Sequence, residues 1–299
     1  MKILITGANG LLGQKLVSLF VSKNETDELI VTARSPLVFP YKGTYEKLDV
    51  TNREDILAVF EKHQPEVVIH TAAMTQVDDC EIQREACWLQ NATAVQYLTE
   101  ACEWYQTHLV HVSTDFIFDG STGPLAEDAI PNPINYYGLS KWEAEKIIQA
   151  STLSWTILRT VLVYGITQDM SRTNIVLWVK NSLEHGKTIK VVNDQFRTPT
   201  LAEDLAMGCY LAAKQKAKGI YHISGKDFVT PYDIAIATAT HFKLDASLIQ
   251  KTDSTQFKQT AQRPLTTGFK ISKAEKELGY KPHSLKEGIA ILEKQMIAS

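Results

Sequence analysis

Two periods of hydrophobic and polar positions run along the chain. In the first 160 residues, short apolar runs at 3–5, 29–32, 67–71, 109–113 and 156–159 read as buried strands. Between them, apolar residues recur three and four apart, as Leu12, Leu16, Leu19 and Phe20 do. That spacing predicts helices, including long ones over 84–105 and 136–150. A third strand is expected to end near 47–49. Thr51 and Glu54 have capping-box spacing at the head of a helix running to residue 63. Strands alternating with helices imply βαβ units and a doubly wound parallel sheet with helices on both faces. After residue 160 the pattern loosens. Helices are expected near 172–185, 202–214, 231–242 and 285–297, with short strands at 190–192 and 221–223. The last helix would set Leu285, Ile289, Leu292 and Met296 on one face. The fold class is therefore α/β of Rossmann type. Residues 1–160 form a dinucleotide-binding domain to which later segments return, and residues 161–299 form mainly a smaller α/β substrate lobe.

Composition narrows the function classes. At 299 residues the chain suits one large domain or two lobes. Apolar residues at 44% and charged residues at 22% are ordinary globular values. A net charge of −3 provides no basic field for nucleic acid. No apolar run approaches the roughly 18 residues of a membrane span, and a signal peptide is not expected. Cys80, Cys87, Cys102 and Cys209 form no CxxC pair, which predicts reduced thiols in a cytoplasmic protein. His70, His108 and His111 fall in strands or strand ends and read as structural. No metal site is expected.

The first strand runs into Gly7-Ala8-Asn9-Gly10-Leu11-Leu12-Gly13. Gly7 permits a tight turn, Gly10 lets a pyrophosphate approach the backbone, and Gly13 lets the helix pack against the strand. The phosphates would rest on the helix N-terminus, among the N–H groups of Leu11 and Leu12. The second strand ends at Arg34 with no carboxylate beside it, which favours the 2′-phosphate of NADPH, with NADH as the alternative. Asp49 and Val50 could bind and cover the adenine. Thr71, Ala72, Ala73 and Met74 offer small side chains along which a cofactor could lie.

Tyr137 and Lys141 stand at i and i+4, on one face of a helix. A nearby ammonium and an oxidised nicotinamide would lower the phenol's pKa from about 10. Such a Tyr can protonate a carbonyl oxygen as hydride arrives at its carbon. Tyr136 is adjacent, but its i+4 partner is Ser140. Ser113-Thr114-Asp115 stand just after the fifth strand, and a hydroxyl there could polarise the same carbonyl.

Together these motifs resemble the extended short-chain dehydrogenases/reductases, and within them the dTDP-4-dehydrorhamnose reductase family, over nearly the whole chain. The resemblance is carried by the glycine turn, His70–Asp78, Ser113–Gly120, Pro133–Lys141, Arg159–Gly165, Asp194–Thr200 and Arg263-Pro264. It implies that Tyr137 is the proton donor, Lys141 its partner and ribose ligand, and Thr114 the carbonyl-polarising hydroxyl. It further implies that Asp115 contacts the sugar and that Arg197 and Arg263 hold a nucleotide's diphosphate. The implied reaction is NADPH-dependent reduction of the 4-keto group of a nucleotide-activated 6-deoxy sugar, with room for a homodimer. Leu11 replaces a common Gln, Leu162 a common sugar-packing Trp, and Lys15 a Glu that in some members supports a magnesium-bearing dimer contact. A dehydratase usually has Asp-Glu where this chain has Asp115-Phe116. A nucleotide-sugar epimerase remains an alternative. So does a non-catalytic NADP-binding subunit resembling the beta subunit of methionine adenosyltransferase.

Overall fold

A computed structural model describes residues 1–23, 26–169, 173–257 and 259–298. The first half supplies β1 (Lys2–Thr6), α1 (Leu11–Lys23), β2 (Glu28–Ala33), β3 (Thr44–Lys47), α2 (Arg53–His63) and β4 (Val67–His70). It continues with α3 (Val77–Ile82), α4 (Arg84–Trp88), α5 (Ala94–Trp104), β5 (His108–Thr114), α6 (Tyr136–Ala150) and β6 (Trp155–Thr160). The second half contains β7 (Val163–Tyr164), α7 (Ile175–Glu184), β8 (Ile189–Val192), β9 (Thr200–Leu201), α8 (Ala202–Gln215) and β10 (Gly219–His222). Then follow α9 (Pro231–Phe242), β11 (Ile249–Thr252), α10 (Ser272–Leu278) and α11 (Leu285–Ala298).

Seven strands form one sheet in the order β3-β2-β1-β4-β5-β6-β10, parallel throughout. Strand order reverses between β1 and β4, so a crevice opens beyond their C-terminal ends. Successive side chains of β1 face opposite ways. Ile3 and Ile5 pack with Leu16 and Phe20 of α1 and with Leu205 and Cys209 of α8. Leu4 packs on the other face with Ile56 and Phe60 of α2, Leu98 of α5 and Ile148 of α6. Burial on both faces explains why these strands read as unbroken apolar runs. β10, α8 and α10 all lie against the first-half sheet or its helices, although they come from beyond residue 200. The rest of the second half stacks α7, α9 and α11 with the parallel pair β8–β11. Leu285, Ile289 and Leu292 of α11 are buried there, with Met296 packed beside them.

Several local expectations change. Asn52, not Thr51, caps α2 by accepting the Glu54 N–H at 3.0 Å. Thr51 instead donates its hydroxyl to Asp49 at 2.7 Å. The expected 84–105 helix is broken by a π turn at Leu89–Thr93. The helices α3 and α10 and the strand β11 were not anticipated; each is short, with too few positions to show a period. The expected start of the 172–185 helix, Arg172, lies outside the described residues.

Candidate active site

The glycine turn sits at the strand-order reversal. Gly7 has φ +71°, and a Cβ there would lie 2.8 Å from the Ala72 nitrogen in the loop after β4. A Cβ on Gly13 would lie 2.6 Å from the Ala8 Cα, so α1 can pack this closely only with glycine. A Cβ on Gly10 would meet only the Gly7 carbonyl, at 3.3 Å, leaving its other side open. The Gln14 N–H bonds the Gly10 carbonyl at 3.0 Å. The N–H groups of Leu11, Leu12 and Gly13 therefore precede the first helical bond of α1 and aim into the cradle. This arrangement fits a pyrophosphate. Leu11 closes one side, against Gly165 after β7.

At the end of β2 the Arg34 side chain is exposed. Its loop is pinned by Asn9, which donates to the Pro36 carbonyl at 2.9 Å and accepts from the Val38 N–H at 3.1 Å. Asp49 faces the charge of Arg34. Burial pushes its carboxyl up, but bonds from Thr51 and the charges of Arg34 and Lys47 hold it below its ordinary range. Val50 is buried against α2 and α5. Thr71 is tied to β1 by its N–H to the Thr6 hydroxyl at 3.2 Å and its hydroxyl to the Thr6 carbonyl at 2.6 Å. Ala72, Ala73 and Met74 are half-buried along the crevice wall.

Asn135 caps α6 by accepting the Gly138 N–H at 2.8 Å. Gly138 has no room for a side chain beside the Phe116 carbonyl, so α6 lies tight on the turn after β5. This contact brings Tyr137 to the end of β5, where the Thr114 hydroxyl favours the ionised form of the phenol. Burial outweighs that effect and pushes the phenol well above 10. Tyr136 points elsewhere, against Trp88 and the Arg84 guanidinium. Lys141 is buried and donates to the Val112 carbonyl at 2.8 Å and to His111 Nε2 at 3.1 Å. Burial lowers its pKa to about 8, against the pull of Glu145 and Cys87. The Lys141 ammonium is turned onto β5, and burial rather than its charge sets the direction of the phenol's shift.

The second-half residues are held by partners within the chain. Arg197 was expected on a diphosphate, but it is buried and donates to the carbonyls of Phe196 (2.8 Å), Leu265 (2.9 Å) and Pro264. Its Nε lies 3.6 Å from Asp115. Asp115 was expected on the sugar, yet its carboxylate is enclosed by Arg197, Thr114 and Thr267. Burial raises its pKa, and the Arg197 charge opposes the rise. Arg263 is partly exposed and pairs with Asp78 at 2.7 Å. Leu162 is 38% exposed with φ +37°, a backbone region that costs a branched side chain energy.

Sequence reasoning missed three positions. Asn9 holds the Arg34 loop. Asn91, on the π turn, accepts the Met74 N–H at 2.8 Å and donates to the Ser140 hydroxyl at 3.1 Å, tying the β4 loop to α6. π turns often mark functional sites, but nothing in the residue order announces one. The third is His111, the acceptor for Lys141.

A Rossmann sheet with this cradle, a strand-end hydroxyl and a buried Tyr-x-x-x-Lys helix defines the extended short-chain dehydrogenase/reductase class. Within it, the chain belongs to the family described as the RmlD substrate binding domain, which matches residues 1–297. It is similar to the structure of a dTDP-4-dehydrorhamnose reductase, an RfbD ortholog, from Clostridium acetobutylicum. The TM-score is 0.88 and the identity 30%, covering 99% of this chain and 100% of that one. A dTDP-4-dehydrorhamnose reductase from Bacillus anthracis, solved in complex with NADP, gives a TM-score of 0.84 at 25% identity, covering 98% and 99%. The chain is also 30% identical to methionine adenosyltransferase 2 subunit beta of Xenopus laevis over 280 residues, 92% of this chain and 82% of the relative. Among the described residues no helix is long and apolar enough to cross a membrane.

Proposed function

We propose that this chain is an NADPH-dependent oxidoreductase reducing the 4-keto group of a nucleotide-activated 6-deoxy sugar, as in dTDP-L-rhamnose synthesis. The observation that carries the reading is the buried Tyr137 phenol, one helical turn from Lys141 on a helix packed tight against the turn after Thr114, beside the glycine cradle. NADPH would supply the hydride. The cradle of Gly7, Gly10, Leu11, Leu12 and Gly13 holds its pyrophosphate, Arg34 its 2′-phosphate, and Asp49 and Val50 its adenine. Residues 71–74 flank it, and Lys141 holds its ribose. Thr114 orients the ketone oxygen, and Tyr137 gives it a proton as negative charge develops there. A phenol already protonated at rest suits reduction better than oxidation.

Residues 1–160, with the returning β10, α8 and α10, serve the cofactor; the remainder of 161–299 serves the substrate. Leu162 faces the sugar subsite, and Arg263 reaches the diphosphate once released from Asp78. We place the protein in the cytoplasm as a homodimer, which sedimentation would check. The test of function is NADPH consumption over a panel of 4-keto nucleotide sugars. An epimerase would convert substrate without net NADPH loss. Tight NADPH binding with no conversion of any sugar would favour a regulatory subunit, the reading suggested by the likeness to the methionine adenosyltransferase relative.

A further inference from the structure

The structure assigns a positioning role to His111: its neutral Nε2 is the acceptor that holds the Lys141 ammonium in place for the cofactor. This rests on the reading above for what Lys141 serves, and on geometry for the contact itself. Lys141 carries only donors, so the Nε2 atom facing it at 3.1 Å must be unprotonated. The ring proton then resides on Nδ1, which has no hydrogen-bond partner among the described residues. A polar ring is thus kept on β5, between Val110 and Val112, with one nitrogen unsatisfied. An apolar residue would fill that space without leaving a buried polar atom unpaired. Among the described residues, the hydrogen bond this ring makes is the one to Lys141.

The surroundings keep His111 neutral. It is fully buried, and both burial and the Lys141 charge hold its pKa well below 6.5. Its ring stacks on His70 of β4, with centroids 5.5 Å apart. His70 is itself lowered to about 3 by burial and by Lys141, and its Nδ1 pairs with the Thr6 hydroxyl at 2.8 Å. Lys141 also feels Glu145 on its own helix and Cys87 of α4. Glu145 is already committed to Arg159 at 2.8 Å. Cys87 bonds Ser140 at 3.4 Å. The Val112 carbonyl and His111 therefore anchor the ammonium. With both bonds made, one Nζ–H remains for a ligand hydroxyl, and its direction is set. Holding that direction before the cofactor arrives spares the cost of ordering a long side chain on binding.

His111→Leu removes the acceptor at similar volume, and His111→Val is the substitute if the Leu protein fails to fold. His111→Gln restores an acceptor near the position of Nε2. The first readout needs no cofactor: 13Cε-lysine NMR follows the Lys141 titration in the apo protein. Losing an acceptor for the charged form should move that titration down by about one pH unit. The Gln variant should titrate near wild type. The second readout is NADPH affinity, expected to fall roughly tenfold in the Leu variant. Its loss with rising pH should also set in about one unit earlier, in step with Lys141. The Gln variant should stay within a few-fold of wild type. An unmoved Lys141 titration in the Leu or Val protein overturns the proposal, as does a Gln variant as impaired as Leu. Wild-type protein that binds no NADPH would overturn the functional reading, while the NMR titration still decides the His111 contact.

Discussion

The helix carrying Tyr137 and Lys141 and the second-half arginines Arg197 and Arg263 both stand out in the sequence as candidate ligand contacts, and the fold treats them oppositely. Tyr137 is buried where α6 packs against the turn after β5, and Lys141 sits on the same helical face. Arg197 is spent on the fold, bonding carbonyls 67 and 68 residues away and facing Asp115. Arg263 is tied to Asp78 across 185 residues. The difference lies in the range of the interaction that fixes each role. An i, i+4 pair and a strand-end hydroxyl are placed by local geometry. A guanidinium with five donors goes wherever tertiary packing presents acceptors.

The sharpest test of that contrast is Arg197→Ala. Removing one partner of a buried ion pair strands the Asp115 carboxylate, at a cost of about 3–5 kcal/mol. Urea unfolding should show the loss. Unchanged stability with selectively weaker binding of nucleotide sugar would return Arg197 to the diphosphate. Next in size, Tyr137→Phe should lower turnover by at least ~10²-fold while NADPH affinity holds. Tyr136→Phe should matter little, because its ring packs outside the crevice. If titrations with substrate rank the two the other way, the helix presents the wrong tyrosine and the contrast fails.

A smaller effect tests the first-half site at its far end. Arg34 is exposed, with its loop pinned by Asn9. A charged hydrogen bond is worth about 1.5–3 kcal/mol, so Arg34→Ala should weaken NADPH roughly ten- to a hundredfold and leave NADH nearly unchanged. Equal losses would remove Arg34 from the 2′-phosphate. The smallest effect is expected from Asp78→Asn. Its pair with Arg263 is partly exposed, so stability should fall by only about 0–1 kcal/mol, visible as a small shift in Tm. Calorimetry should find nucleotide sugar bound slightly tighter, since Arg263 is freed. Weaker binding would make Arg263 a strut like Arg197.

The residue order by itself determined the parallel sheet, the glycine cradle and the Tyr137–Lys141 face. Each depends on contacts within a few residues or on a strand buried on both sides, and both leave a period in the sequence. The three-dimensional fold alone decided that Asn52 caps α2, that Asn91 enters through a π turn, and that Lys141 rests on His111. It also decided that Asp115 and Arg197 neutralise each other at the junction of the two halves. Those outcomes depend on which of several polar partners a buried group reaches first. That competition is between residues far apart in the chain, and it is settled by burial, since a buried polar group must find some partner and the sequence does not say which.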